Sequence, residues 1–367
     1  LTIYRMNHIP LSRLNGILLL IVLSGAILYV GRPVLVPLFF AILIGMLLLP
    51  VCNWMENKGV SRFWSTLVGV LIILLFVGSI FAIIAAQGSA LADDWPKMQA
   101  RGEKIIADAR NYIQEQYGIG PQEQITYLQK GVSKVSASGG KFFSNIFSTL
   151  TGFLTGLVLT LLYFFFLMWK REKYEEFILK LTDEKNKTTV RNELHEITRV
   201  SSQYLTGRLI SMAFLALVYT IGFSIVGLPN AILISLVAIV PTIVPYIGAF
   251  VGGFFPLAMV FVGGSPDMFL PVVLILVVAQ IIDNNIIEPL AEGESLHIGP
   301  IWTIFTLVLG EFVWGVPGMI LFMPLIAVIK IICDHIPSLH PYAFLLNNEV
   351  GTPKFVTKLR SMFGKKT

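Results

Sequence analysis

Acidic and amide side chains interrupt an otherwise apolar stretch in the sequence QIIDNNIIEPL, which begins at Gln280. On a helix, Gln280, Asn284 and Glu288 lie four residues apart and therefore share one face. Asp283 adjoins this face, and Asn285 follows. Carboxylates combined with amides suit a cation, a proton or a neutral hydroxylated molecule held by hydrogen bonds. We therefore regard these five residues as the leading candidates for a binding site.

The composition places this polar group in a membrane protein. Of 367 residues, 55% are hydrophobic and only 13% are charged, whereas soluble domains carry roughly 25% charged residues. Continuous apolar runs of about 20 residues are long enough to cross a bilayer as helices, and they lack the alternation of barrel strands. The predicted fold class is all-α: a polytopic helical membrane protein with amphipathic helical arms.

A carboxylate at the bilayer centre costs about 2.5 to 3.5 kcal/mol even on the more lenient insertion scale, so it is rarely without a function. The first interpretation is therefore a substrate or ion pathway. The alternative is that Asp283 and the asparagines cap or join helices, and that Glu288 is an interfacial loop residue. We favour the pathway.

Apolar runs predict single crossings at 14–30, 33–51, 63–87, 145–169 and 203–226. Eight lysines and arginines lie from Lys170 to Arg199, and such clusters tend to stay in the cytoplasm. Counting the crossings on either side of this cluster predicts that both termini are also cytoplasmic. The expected regions are N-terminal transmembrane helices (1–87), an extracytoplasmic amphipathic region (88–144), a transmembrane helix with a cytoplasmic amphipathic arm (145–202), a transport half (203–335) and a basic cytoplasmic tail (336–367).

Proline and glycine interrupt two apolar stretches of the transport half, 227–260 and 298–329. Paired broken segments are typical of the midplane binding site of transporters. They predict two broken or re-entrant hairpins, although single crossings fit the charges equally well. Glu311, beside the second break, is a further pathway candidate whose alternative is a surface position. The residues expected to break the helices are Pro241, Pro245, Gly248, Pro289, Gly310, Gly315, Pro317 and Gly318.

Several function classes lack their sequence signatures. We find no Walker-type phosphate loop and no nucleophile and base pair, so we expect no enzyme and no cofactor. The residues of CDHIPSLH, from Cys333 to His340, fit no standard zinc spacing, and we expect no metal site. Lysine and arginine are absent from Leu209 to Ile329, which argues against an anionic substrate. Because the sequence shows no nucleotide-binding motif, we expect transport to be passive or driven by a gradient.

Three motifs resemble those of one family: GLPNA from Gly227, VPTIVPYIG from Val240 and DNNIIEP from Asp283. Together with the broken C-terminal segment they look like the autoinducer-2 exporter (AI-2E) family of bacterial and archaeal permeases. The resemblance is most specific at Asp283, Asn284 and Pro289. It implies a plasma-membrane transporter that assembles as a homo-oligomer, a pentamer, and that exports autoinducer-2 or exchanges sodium or lithium for protons.

The leading hypothesis is a gradient-driven secondary transporter that exports a small polar solute, with residues 203–335 carrying the pathway. A sodium (lithium)/proton antiporter is the alternative within the same class. A membrane scaffold that transports nothing is the alternative from another class. The expected partners are a small polar solute or a monovalent cation or proton, the lipid bilayer and further copies of the chain, without nucleic acid.

Overall fold

The computed structural model describes residues 11–83, 100, 107, 154–245, 247–263, 265–292 and 298–347. Within these residues the regular elements are helices, apart from one isolated bridge between Ile298 and Asn347. The all-α prediction is therefore confirmed. The amphipathic region expected at 88–144 lies outside the described residues except for two positions, and so does the basic tail from 348 onward.

Five helices make up the N-terminal part of the described structure. α4 and α5 meet at a bend of 67°. Near this bend, the Arg171 guanidinium lies 2.7 Å from the Glu56 carboxylate, which ties the start of α5 to the end of α2. The helices are α1 (Leu11–Val30), α2 (Arg32–Asn57), α3 (Arg62–Ile83), α4 (Leu154–Trp169) and α5 (Arg171–Lys180).

α6 (Lys187–Val226) is one continuous helix of 40 residues, about 60 Å long. It passes through the boundary that we expected at 202, so the end of the amphipathic arm and the membrane segment belong to one continuous helix. α6 ends where Leu228 N–H donates to the Phe223 carbonyl at 2.9 Å. Gly227 there has φ of +81°, a conformation that glycine adopts without strain. The GLPNA motif is thus the turn after α6.

Hairpin 1 consists of α7 (Ala231–Ile239), a 3₁₀ turn (Val240–Ile243) and α8 (Ile247–Gly263). Its two apolar helices have at most 17 residues each, so each is at most about 26 Å long. This is shorter than a hydrocarbon core of about 30 Å. The lengths favour a re-entrant hairpin over two crossings.

A continuous helical segment follows hairpin 1 and carries the polar motif. It comprises α9 (Phe269–Ile282), a π turn (Asp283–Ile287) and α10 (Glu288–Glu292). The prediction that Pro289 ends this helix is wrong, because the helix continues to Glu292. Pro289 lies in the first turn after the π turn. Its missing N–H removes at most one hydrogen bond of the helix there, so the proline is tolerated.

Hairpin 2 consists of α11 (Pro300–Trp314) and α12 (Val316–His335), and the short α13 (His340–Leu346) follows it. The chain reverses at Gly315, whose φ is +68°. The two helix-break-helix segments expected from the sequence are thus present, with their breaks at 240–245 and at Gly315.

Three glycines expected to break helices lie inside them instead: Gly248, Gly310 and Gly318. A Cβ on Gly318 would come within 2.0 Å of the Gly310 carbonyl oxygen, and one on Gly248 within 2.0 Å of the Pro241 carbonyl oxygen. Their role in this fold is therefore close packing. Gly310 and Gly318 let α11 and α12 touch backbone to backbone, and Gly248 lets α8 touch the backbone of the 3₁₀ turn.

Replacing Gly318 by alanine is expected to destabilise the protein by about 1 to 3 kcal/mol, since the added methyl group forces backbone apart in a packed contact. Thermal unfolding of the purified protein in detergent measures this. Gly78→Ala is the matched control, because nothing lies within 4 Å of a Cβ at that position. Equal melting temperatures for the two variants would contradict the packing role.

The outer surface of the described helices is strongly apolar. Phe250 is 84% exposed, Phe312 83% and Ile225 81%, and such side chains are stable when they face lipid. Within the described residues, five helices are long and apolar enough to cross a membrane, or six if α4 and α5 form one bent span. The architecture is that of a polytopic helical membrane protein.

Candidate functional site

The motif DNNII at Asp283 forms a π turn within an otherwise α-helical segment. The N–H of Glu288 donates to the carbonyl of Asp283, five residues earlier, instead of to the residue four earlier. A π turn inserts one extra residue into an α-helix, and such turns are frequent at functional sites. It changes which side chains face inward, so the helical wheel of a regular α-helix does not describe this segment.

Asp283 is buried against α6. Its side chain is 1% exposed, and the Ser211 hydroxyl lies 2.7 Å from each carboxylate oxygen. One hydroxyl has a single hydrogen to donate, so two oxygens share it. A charged carboxylate this deeply buried is costly in free energy unless it is paired or protonated. Asp283 is therefore the residue of this site that is best placed to bind a proton or a cation.

Arg208 of α6 supplies a positive charge beside this carboxylate. Its guanidinium lies 2.9 Å from the Glu288 carboxylate, and its charge also acts on Asp283. The acidic residues thus have a basic neighbour, which the absence of lysine and arginine from Leu209 to Ile329 did not suggest. The stretch without lysine or arginine begins directly after Arg208. The argument against an anionic substrate is correspondingly weaker.

Arg208 also joins this group to hairpin 1. It donates a hydrogen bond to the carbonyl oxygen of Thr242, in the 3₁₀ turn at the hairpin tip. The last carbonyls of a helix lack partners within it, and they form its negative end, so a guanidinium is favourable there. One side chain thus contacts α6, the tip of hairpin 1 and the helix after the π turn.

The charges within this group do not balance. Asp283 and Glu288 contribute two negative charges when ionised, whereas Arg208 contributes one positive charge. The Nε of Arg208 is buried and has no hydrogen-bond partner in the described residues. An uncompensated buried charge costs several kcal/mol. A proton or a cation beside Asp283 would neutralise the one remaining negative charge.

The amides of the motif lie on a different side of the helix. Asn284 and Asn285 are exposed in the single chain, and Gln280 is half-buried. Gln280 donates to the Asn284 side chain at 2.8 Å, and Asn285 donates to the Ile281 carbonyl at 2.8 Å. The predicted ridge of Gln280, Asn284 and Glu288 is thus divided, because Glu288 turns toward Arg208.

Glu311 lies apart from this group. It is exposed in α11, one turn before the break at Gly315, and its carboxylate makes no hydrogen bond or ion pair with the described residues. The structure brings Asp283 and Glu288 together with α6 and hairpin 1, and it does not bring Glu311 to them.

Hairpin 2 packs behind the tip of hairpin 1. Tyr204 of α6, Val244 of the tip, Leu307 of α11 and Met323 of α12 form one buried apolar cluster. At its far end, the Trp314 indole donates to the Leu28 carbonyl at 2.9 Å, which docks hairpin 2 on α1. The polar group therefore lies where the two hairpins and α6 meet.

Sequence reasoning missed Arg208, Ser211 and Thr242. A signal was available for the first two: Ser201, Tyr204, Arg208 and Ser211 recur every three or four residues within an apolar segment, which indicates a polar stripe on a membrane helix. No comparable signal marked Thr242, whose contribution is a backbone carbonyl.

Comparison with known proteins gives a consistent result. A family model described as "AI-2E family transporter" matches residues 17–338. "Putative transport protein YueF" of Bacillus subtilis (strain 168) is 27% identical over 334 residues, which cover 86% of this chain and 89% of that protein. "Putative permease PerM" of Escherichia coli (strain K12) is 24% identical over 333 residues, covering 88% and 93%.

"Putative transport protein YrrI" of Bacillus subtilis (strain 168) is 26% identical over 321 residues, which cover 83% of this chain and 87% of that protein. These relatives are named as putative transport proteins or a putative permease, and the family match at residues 17–338 includes both hairpins. Since the family model covers most of the chain, this polytopic membrane protein belongs to the AI-2E family of transporters.

Proposed function

We propose that the protein is a gradient-driven secondary transporter that exports a small polar solute, and that Asp283 carries the coupling proton. The observation that supports this most directly is the buried Asp283 carboxylate, 1% exposed, in a group with two carboxylates and one guanidinium. Protonation of Asp283 removes the excess charge. A proton gradient therefore has a group on which to act.

Arg208 provides the structural consequence of that protonation. The guanidinium hydrogen-bonds both the Glu288 carboxylate and the Thr242 carbonyl, so it connects the charge state of the π turn to the tip of hairpin 1. When Asp283 is ionised, it attracts Arg208. When Asp283 is protonated, that attraction is lost and the hold on hairpin 1 changes.

In this conformation Asp283 is closed to solvent, so passage of a solute requires one of its covering elements to move. Hairpin 1 is the element we propose, because its helices are short and a single arginine holds its tip to α6. Such movements of broken segments around a fixed site are how secondary transporters give alternating access.

The solute class follows from the polar groups available. In the Asp283 group the guanidinium is already engaged by Glu288, and the neutral polar side chain is the Ser211 hydroxyl. The amides of Gln280, Asn284 and Asn285 add neutral polar groups on another side of the same helix. These favour a neutral, hydroxylated molecule, such as the signal autoinducer-2, over a strong anion. The transport names of the relatives support transport and leave the solute open.

A second candidate is sodium (lithium)/proton antiport. The excess of one carboxylate supports it, since a monovalent cation neutralises Asp283 as a proton does. The two ions would then compete for the same oxygens, which is the minimal requirement for exchange. Glu311 stays outside this proposed group, and a relay role for it is a separate proposal.

Location and assembly are part of the same proposal. We place the protein in the cell membrane with both termini in the cytoplasm, on the strength of the basic residues between Lys170 and Arg199. We also propose assembly of several copies. The exposed Asn284 and Asn285 support it, because each amide has hydrogen-bonding groups beyond its contact with Gln280 or the Ile281 carbonyl. In an apolar environment those groups need a further protein or water partner.

Reconstitution in liposomes with imposed gradients tests the proposal. For an exporter, an inward-directed proton gradient should drive solute flux without sodium; the test compounds are small hydroxylated solutes, including autoinducer-2. For an antiporter, added sodium should collapse a pH gradient without any solute. If neither flux exceeds that of empty liposomes, the protein is a scaffold and the transport proposal is wrong.

A further inference from the structure

A cavity of about 470 Å³ lies between α2 and α6, next to the end of α10. This is within the usual range for small-ligand sites. Its α2 side is mainly apolar, and its α6 side is polar and basic. The lining residues used below are Met46, Leu49, Pro50, Arg199, Gln203 and Thr206.

This cavity is separate from the Asp283 group. Thr206 lines it, whereas Arg208 is two residues farther along α6 and therefore points about 200° away, to the other side of the helix. None of the side chains of the Asp283 group lines the cavity, although Ala291, one turn after Glu288 on α10, does. The cavity needs a different occupant from the one that the transport proposal assigns.

The polar side of the cavity offers free donors. Arg199, Ser202 and Gln203 line it. Their side chains make no hydrogen bond or ion pair with the residues that the structure describes. In the described part of the chain, none of the lining residues is acidic. Such a set of donors is suited to an anion with several oxygens, such as a phosphate group.

The apolar side sets the second requirement. Met46, Leu49 and Pro50 extend the cavity along α2 for about one turn. A free phosphate would leave this surface uncovered, whereas an acyl chain would cover it. The ligand is therefore amphiphilic, with an anionic head beside Arg199 and a hydrocarbon part beside α2.

Two cation and aromatic pairs mark the level of the cavity in the bilayer. The Lys58 amine lies 3.8 Å from the centre of the Trp54 ring, and the Lys170 amine lies 4.3 Å from that of Trp169. Tryptophan and lysine concentrate at the headgroup level of a membrane. Asn53, next to Trp54, lines the cavity, so the cavity opens at this level and extends inward.

From these observations we propose that the cavity between α2 and α6 binds one anionic phospholipid, with its phosphodiester on Arg199 and an acyl chain along α2. Basic pockets between transmembrane helices on the cytoplasmic side bind anionic headgroups in this way. The lipid would hold α2 against α6. The site is independent of the transported solute.

Binding of short-chain lipid to the purified full chain in detergent tests the proposal, measured as a Kd by native mass spectrometry. The probes are dioctanoyl phosphatidylglycerol, dioctanoyl phosphatidylcholine and inorganic phosphate. Phosphatidylglycerol should bind most tightly, and Arg199→Gln should weaken it about fivefold, the effect of one basic residue near an anionic headgroup. Thr206→Trp should also weaken it, by filling the cavity.

The matched control is Arg191→Gln, an arginine eight residues earlier on α6 that pairs with Glu175 outside the cavity. It should leave the Kd unchanged. Equal binding of phosphatidylcholine, equal loss in the control, or a phosphate affinity as high as that of the lipid would each overturn the proposal. Retained melting temperatures show that the variants are folded.

Discussion

Asp283→Asn is expected to reduce proton-coupled flux in liposomes to the level of liposomes without protein. Asparagine is nearly the same size and still accepts a hydrogen bond from Ser211, so the fold should be kept. It lacks a carboxylate that can bind and release a proton. Flux under an imposed pH gradient, with the melting temperature measured in parallel, separates the two effects.

The matched control is Asp267→Asn, since Asp267 is an exposed carboxylate in the turn before α9. This variant should transport like the wild type. Glu311→Gln adds a third arm: flux near the wild-type level places Glu311 outside the pathway, and loss of flux assigns it a relay role. Wild-type flux in Asp283→Asn would refute the assignment of Asp283 as the coupling residue.

Arg208→Gln is expected to have the largest effect on stability, about 3 to 5 kcal/mol. Arg208 is 8% exposed, and removing one partner of a buried ion pair leaves the other charge uncompensated. Glu288 would lose its partner, and Thr242 at the tip of hairpin 1 would lose its donor. Denaturation of the purified protein in detergent measures the change in free energy of unfolding.

Adding Glu288→Gln to that variant should restore more than half of the lost stability, because no unpaired carboxylate remains at position 288. It should not restore transport, since hairpin 1 stays disconnected from the π turn. Arg191→Gln, which breaks an exposed ion pair with Glu175, should cost no more than about 1 kcal/mol. Similar losses for Arg208→Gln and Arg191→Gln would contradict the buried role of Arg208.

The two variants probe different parts of the proposed coupling. Asp283→Asn removes the proton site and leaves the contact between α6 and hairpin 1. Arg208→Gln removes that contact and leaves the proton site. If the mechanism is as proposed, the first variant fails in coupling with normal stability, and the second fails in both.

Local pattern in the sequence was sufficient for the helical architecture. The length and continuity of the apolar runs predicted membrane helices, because a helix satisfies its own backbone hydrogen bonds and needs only an apolar surface to be stable in lipid. Proline and glycine within two of these runs predicted both hairpins. The polar motif at Asp283 was identified for the same reason, since a carboxylate in an apolar run is locally conspicuous.

The sequence did not show what Arg208 contacts. Its partners Glu288 and Thr242 are 80 and 34 residues away along the chain, and only the packing of hairpin 1 and α10 on α6 brings them together. The π turn was hidden in the same way. Its hydrogen bond reaches five residues back instead of four over a single turn, which is too short to leave a periodicity in the sequence.

By itself, the sequence determined the membrane class, the helices and hairpins, and the presence of an acidic residue within an apolar helix. Each depends on the chemistry of neighbouring residues. Only the tertiary structure decided which charges pair, which glycines pack instead of breaking a helix, and where a cavity opens between α2 and α6. Those properties arise from contacts between distant segments, and helical periodicity carries no information about them.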